Sequence, residues 1–174
     1  MIIDGGPHPG AGDEDTTFLD GGHEAAMATP PMAGAFEALA QLVERFEGRV
    51  WLVSKCGERI EARTRAWLAH HRFHERTGIP ADHVRFCRRR PDKAVHCREL
   101  AITDFVDDRP DVLGYLEGVV ERRYLFGPQD DTGGTDTGST DTGAETGDGV
   151  VRTPDWPAVL AAIAAADADA AGTG

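Results

Sequence analysis

Cysteine is scarce in this chain. Cys56, Cys87 and Cys97 are spaced irregularly along 174 residues, too few and too uneven for the disulfide framework of a small secreted domain. No charged-then-apolar leader opens the sequence, and no stretch approaches the ~18 apolar residues of a membrane span. A reducing, cytoplasmic setting with no membrane association is the expectation. Lysine is rarer still: of eighteen basic residues, only Lys55 and Lys93 are lysines. Arginine is this chain's ordinary cation, so each lysine marks a place where a compact ammonium replaces it.

What is present is enough for one domain. A hydrophobic fraction of 40% supports a real core at this length. The net charge of −12 is unevenly distributed. Asp130, Asp131, Asp136, Asp141, Glu145 and Asp148 crowd one low-complexity tract, whereas residues 59–98 are rich in arginine. The global acidity therefore reports the tract and says little about a partner.

The order of apolar runs predicts an α/β fold built on a doubly wound, Rossmann-like parallel sheet. Residues 1–31 read as an irregular, Gly- and Pro-rich region. From Met32 the pattern turns helical, with Phe36, Leu39, Leu42, Val43 and Phe46 on one face and Gly48 ending it. Arg49-Val50-Trp51-Leu52-Val53-Ser54 is a near-continuous apolar strand, followed by a helix that turns Ile60, Thr64, Trp67 and Leu68 inward. His83-Val84-Arg85-Phe86-Cys87 is a short strand, and Pro91-Asp92-Lys93 starts a helix with Ala94, Val95, Cys97 and Leu100 on its inner face. A strand running from Ile102 into Asp107-Asp108 and its helix come next, then a last strand at Arg123-Tyr124-Leu125-Phe126. Strands alternating with helices at this spacing define a parallel sheet, here over residues 32–128. Residues 129–149 hold Asp-Thr-Gly repeats with no large apolar side chain and are expected to be disordered. Asp-Thr-Gly is also the aspartic-protease signature, but nothing apolar flanks it here. Residues 150–174 read as a short helix around Trp156, Val159, Leu160 and Ile163 that docks on the core, with a frayed Ala-rich end.

Three of these strands are followed by chemistry-bearing residues: Ser54, Lys93, and the pair Asp107/Asp108. The ends of parallel strands lie side by side, and open α/β sheets bind ligands at the carboxyl edge. Two adjacent carboxylates repel unless a cation lies between them, and hard oxygen ligands suit Mg²⁺, which takes one or two carboxylates with substrate phosphate. Asp107 and Asp108 are equally consistent with a solvated turn and helix cap. A hydroxyl, an ammonium and a carboxylate pair together form a cradle for phosphate.

The ordered set Trp51-Leu52-Val53-Ser54, then Pro91-Asp92-Lys93-Ala94, then 102–108 is similar to the second, third and fourth motifs of the haloacid dehalogenase-like phosphohydrolases. The resemblance implies a Mg²⁺-dependent phosphate monoester hydrolase. Ser54 would hold the phosphoryl group, Lys93 would steady nucleophile and phosphate, and Asp107/Asp108 would bind Mg²⁺. Lys55, Arg90 and Arg109 stand beside these positions as candidate substrate contacts. The family's first motif, an apolar strand ending Asp-x-Asp, does not occur here: only Met1-Ile2-Ile3 precede Asp4, and position 6 is Gly. The first strand and its nucleophile are therefore expected upstream of Met1, and the chain as written is expected to be incomplete or inactive. The alternative is a catalytically silent domain that binds a phosphorylated ligand or nucleic acid. Assigning the nucleophile to Asp4 is the weakest option.

The absence of any stretch able to form a cap predicts an open site ringed by Arg88, Arg89, Arg90 and Arg109. Such a rim fits a nucleotide, a nucleic-acid end or a phosphoprotein. Aromatic residues do not interleave with these arginines, which argues against a stacking platform for single strands. His70, His71 and His74 read as a helix end, and Cys87 and Cys97 as core residues.

Overall fold

The computed structural model describes residues 2–4, 22–127, 145–146 and 149–172. The chain is an α/β protein of seven helices and six strands among those residues. In chain order these are α1 Gly22–Ala28, α2 Ala35–Arg45, β1 Leu52–Lys55, α3 Glu58–His70, α4 Phe73–Thr77, β2 Val84–Cys87, α5 Lys93–Glu99 and β3 Asp104–Asp107. There follow α6 Pro110–Tyr115, β4 Arg122–Phe126, β5 Glu145–Thr146, β6 Val150–Thr153 and α7 Trp156–Gly172. No helix among the described residues is long and apolar enough to cross a membrane.

The strands form two sheets. β1 and β2 pair in parallel, with Leu52 opposite Val84 and Lys55 opposite Cys87. The second sheet has the order β3-β4-β6-β5: β3, β4 and β6 run parallel, and β5 closes the edge antiparallel to β6.

Side chains that alternate along a strand must point to opposite faces, and here both sheets send them into the same two cores. Leu52, Val84, Phe86, Val106, Tyr124, Phe126 and Val151 enter one core with Phe36, Trp67, Phe73 and Ile163. Val53, Phe105, Leu125 and Val150 enter the other with Ala94, Cys97, Val112 and Leu116. Helices α2, α3, α4 and α7 therefore cover one face, and α5 and α6 cover the other. Two sheets sharing both cores form one layer, split between β1 and β3.

The larger core centres on aromatic packing. Phe36 meets Trp67 and Phe73 edge to face, at 6.1 and 5.1 Å between ring centroids. The Trp67 indole N–H donates to the Thr29 carbonyl at 2.9 Å, so its polar handle is satisfied. Gly78 stops α4 at a positive φ of 79°, where an added Cβ would lie 3.3 Å from Val43.

Several expectations are corrected. Residues 22–28 form a helix instead of loop, while residues 5–21 lie outside the described set. Val150–Thr153 is strand β6, not the start of a helix, and α7 runs on to Gly172 where fraying was expected. In β6 only Val150 and Val151 enter the two cores, a pattern too short to separate from a helix start. Within 129–149, Glu145–Thr146 pairs with β6, and the expectation for 129–144 and 147–148 falls outside the described residues. Val95 is 47% exposed, because the short α5 turns Lys93, Ala94 and Cys97 inward and leaves Val95 on the opposite side.

Candidate functional site

Asp107 is the last residue of β3, and Lys93 is the first of α5, reached from β2 through a 3₁₀ turn at Arg90–Asp92. Proline at the second position of that turn pre-sets the backbone φ and leads directly into the helix. The two side chains meet. The Lys93 Nζ donates to Asp107 Oδ2 at 2.6 Å, with 9% of Lys93 and 5% of Asp107 exposed. Asp107 Oδ1 accepts the Arg109 backbone N–H at 3.1 Å. Burial pushes the Asp107 carboxyl above its ordinary value, the Lys93 ammonium opposes that, and Asp108 adds to it. A buried ion pair of this kind needs each partner, because loss of one strands the other in a low-dielectric setting.

This pair lies on a cavity of about 580 Å³, within the usual size range of small-molecule sites. Ser54, Lys55, Arg90, Lys93, Asp107, Asp108 and Arg109 all line it. The carboxyl ends of β1 and β3 and the turn after β2 thus bring together every residue singled out from the sequence as a site candidate. Arg90 and Arg109 are both anchored by Asp111, at 3.5 and 3.0 Å, which holds the two guanidinium groups near the mouth. An ammonium has three N–H donors, so Lys93 can hold Asp107 and still donate to a bound anion.

The expected arginine rim is only half present. Arg88 and Arg89 do not line the cavity. Arg88 donates to the Cys56 carbonyl at 2.7 Å and Glu61 at 3.0 Å, and Arg89 pairs with Asp92 at 2.7 Å. Residues 56–83 are used by α3, α4 and a 3₁₀ turn, so no cap forms between β1 and β2. Asp4 is fully buried, bridges to Pro31 and does not line the cavity. The histidines are local: His71 packs on Trp67 at 4.6 Å, and the His74 Nδ1 sits 2.8 Å from the Ile79 carbonyl oxygen. Cys56, Cys87 and Cys97 are all buried thiols.

A second polar cluster went unnoticed in the sequence. At the amino end of β3, Asp104 accepts two bonds from Arg122, at 2.6 and 2.7 Å, and one from the Tyr124 hydroxyl at 3.0 Å. Arg122 also reaches Asp167 of α7 at 3.0 Å. Asp104 and Arg122 stand opposite each other in the β3–β4 register, so a correct strand pairing is the signal that exposes this cluster.

The acidic pair does not by itself make a metal cage. Asp107 gives one oxygen to Lys93 and the other to an N–H, and among the described residues no group of three His, Cys, Asp or Glu side chains could hold a metal. No chemistry is routed through a metal here. No family model, curated protein or solved structure matches the chain. What the fold and site define is an α/β protein with a cavity that runs along β1 and β3 and carries Lys55, Lys93, Asp107 and Asp108 at the carboxyl edge of those strands.

Proposed function

We propose that this edge is a phosphoryl-binding site of the haloacid dehalogenase-like kind, which hydrolyses phosphate monoesters only when a nucleophilic carboxylate is supplied to it. The observation that carries the reading is the buried Lys93–Asp107 pair at 2.6 Å on a cavity that Ser54 also lines. In this reading the Ser54 hydroxyl donates to a phosphoryl oxygen. The two remaining Lys93 N–H groups offset its charge, and Asp107 fixes the ammonium in place. Lys55, Arg90 and Arg109 hold the rest of a phosphorylated substrate. Asp108 stands beside Asp107 on the cavity as the second carboxylate of the pair.

A catalytically silent phospholigand-binding domain is the second reading, favoured by the engagement of both Asp107 oxygens, one by Lys93 and the other by the Arg109 backbone N–H. Binding of nucleic acid through the arginine run has less support, since Arg88 and Arg89 are engaged with Glu61 and Asp92.

The test is titration with inorganic phosphate and with a small aryl phosphate, followed by calorimetry and by release of the aryl alcohol. The expected result is saturable binding lost in Ser54→Ala, with no turnover by the chain as written. Absence of phosphate binding would defeat both readings. Enzyme-like turnover abolished by Asp4→Asn would return the nucleophile to Asp4.

A further inference from the structure

Arg88, Arg89 and Arg90 follow β2 in one run, and the fold gives each a separate task. Arg90 lines the cavity and pairs with Asp111 at 3.5 Å, and Arg89 pairs with Asp92 at 2.7 Å. Arg88 instead reaches the corner that joins β1 to α3. Its Nη1 donates to the Cys56 carbonyl at 2.7 Å, and its Nη2 donates to Glu61 Oε2 at 3.0 Å.

Cys56 lies two residues beyond Ser54. The strand ends at Lys55, so the backbone of the corner needs partners beyond the ladder. They come from the exit of β2. The Cys56 N–H donates to the Cys87 carbonyl at 3.0 Å, the Cys87 thiol donates to the Ser54 carbonyl at 3.8 Å, and Arg88 takes the Cys56 carbonyl. Two consecutive residues therefore clamp the stretch from Ser54 to Cys56. The far end of the clamp is fixed as well. Glu61 stands in the first turn of α3, its N–H donates to the Gly57 carbonyl at 2.9 Å, and its other oxygen accepts Arg65 at 3.2 Å. Burial acts to raise the Glu61 carboxyl, but the bonds from Arg88 and Arg65 outweigh it and hold the group below its ordinary value. The clamp also reaches the hydroxyl, because the Cys56 and Ser54 side chains are hydrogen-bonded to each other. Ser54, Lys55, Cys56 and Gly57 line the cavity, whereas Arg88 and Glu61 stay outside it.

We infer that Arg88, anchored by Glu61, is a positioning residue: it sets the Ser54–Gly57 corner, and with it the Ser54 hydroxyl, for the anion that the cavity takes, without touching that anion. The identity of the anion rests on the phosphoryl reading above, and the setting of the corner rests on hydrogen bonds alone. The guanidinium fork accounts for an arginine here. One planar group reaches a carbonyl and a carboxylate together, whereas an ammonium is a point charge without that fixed geometry. The Arg88 side chain is 51% exposed, and exposed ion pairs contribute little to global stability. Its loss should therefore move the site more than the fold.

The experiment compares the parent chain with Arg88→Ala, Arg88→Lys and Glu61→Ala. Inorganic phosphate binding by calorimetry, Tm, and the labelling rates of Cys56 and Cys97 are read for each, because Cys56 belongs to the corner and Cys97 to the closed core. Arg88→Ala should weaken phosphate binding about tenfold and speed Cys56 labelling ~10-fold. It should leave Cys97 labelling unchanged and Tm within about 3 °C of the parent. Arg88→Lys should recover part of both losses. Glu61→Ala should give a smaller form of each, since Arg88 keeps its bond to Cys56. Parental phosphate affinity in Arg88→Ala would overturn the inference, whatever the thiol does. So would equal acceleration at Cys56 and Cys97 with a large fall in Tm, which marks a general loss of stability. A parent that binds no phosphate would defeat the phosphoryl reading by itself, and the role of Arg88 as anchor of the corner would then stand or fall on Cys56 labelling.

Discussion

β4 and β1 are both apolar parallel strands, yet they are buried to different degrees. β4 has neighbours on both edges, and four of its five residues are buried. Among the described residues β1 has one neighbour, and all four of its residues remain partly exposed. Composition does not explain the contrast, since Leu52-Val53 is as apolar as Tyr124-Leu125. A strand's side chains report whether its faces are covered, whereas its backbone reports whether its edges are. β1 and β3 have the side chains of interior strands and the backbone situation of edge strands. Protected edges of natural sheets are short, charged or covered, and here the two meet across a space that is roofed on both faces.

Breaking the Lys93–Asp107 pair has the largest expected effect on that comparison, because the pair closes the β3 side of the space. Lys93→Met should destabilise the fold by about 3–5 kcal/mol, by leaving a buried carboxylate alone. The double variant Lys93→Met with Asp107→Leu should recover most of that loss in urea denaturation. A single variant as stable as the parent would mean that water reaches Asp107.

Truncation separates the two strands directly. Leu125→Ala on β4 removes a side chain from a closed core and should cost about 2–5 kcal/mol. Leu52→Ala on β1 should cost less, about 1–1.5 kcal/mol, because a partly exposed side chain has less apolar surface to lose. Filling the space between β1 and β3 should raise the second cost toward the first. Equal costs in the chain as written would erase the contrast.

The thiols give the smallest effect. Burial pushes Cys97, in the closed core with Val112 and Leu116, up to about 11. At pH 8 only about one molecule in 10³ carries its thiolate, the nucleophilic form. Alkylation of Cys97 in the native state should be the slowest of the three and should rise about tenfold per pH unit toward 11. The unfolded thiol releases its proton near 8.5, so the folded chain binds more protons between that value and about 11, and stability falls as pH rises through the interval. Mass-spectrometric mapping after a labelling pulse should rank Cys56 ahead of Cys97. The reverse order would place the opening on the wrong side of the sheet.

Much of this was legible in the sequence, for reasons tied to particular residues. The runs ending in Ser54 and Asp107 are long and apolar enough to be strands, and Gly48, Gly78 and Pro91 punctuate them. Lys93 stood out because the chain otherwise uses arginine. Strand β6 was lost because Val150-Val151 offers only two apolar residues before Arg152, and α1 because its alanines carry no large side chain to set a period. The engagement of Arg88 and Arg89 with Glu61 and Asp92 depends on where α3 and the 3₁₀ turn lie in space, which a charge run cannot report. The interruption between β1 and β3 was equally hidden, since edge pairing leaves no mark on side-chain pattern.

Native-state hydrogen exchange on the chain as written tests the central claim most directly. In a parallel strand, alternate amides point to alternate neighbours, so β4, paired on both edges, should be protected throughout Arg122–Phe126. In β1 and β3 only the amides directed at β2 and β4 should be protected, and those between them should exchange at rates set by local opening instead of global unfolding. Uniform protection across Leu52–Lys55 and Asp104–Asp107, equal to that of β4, would contradict the account.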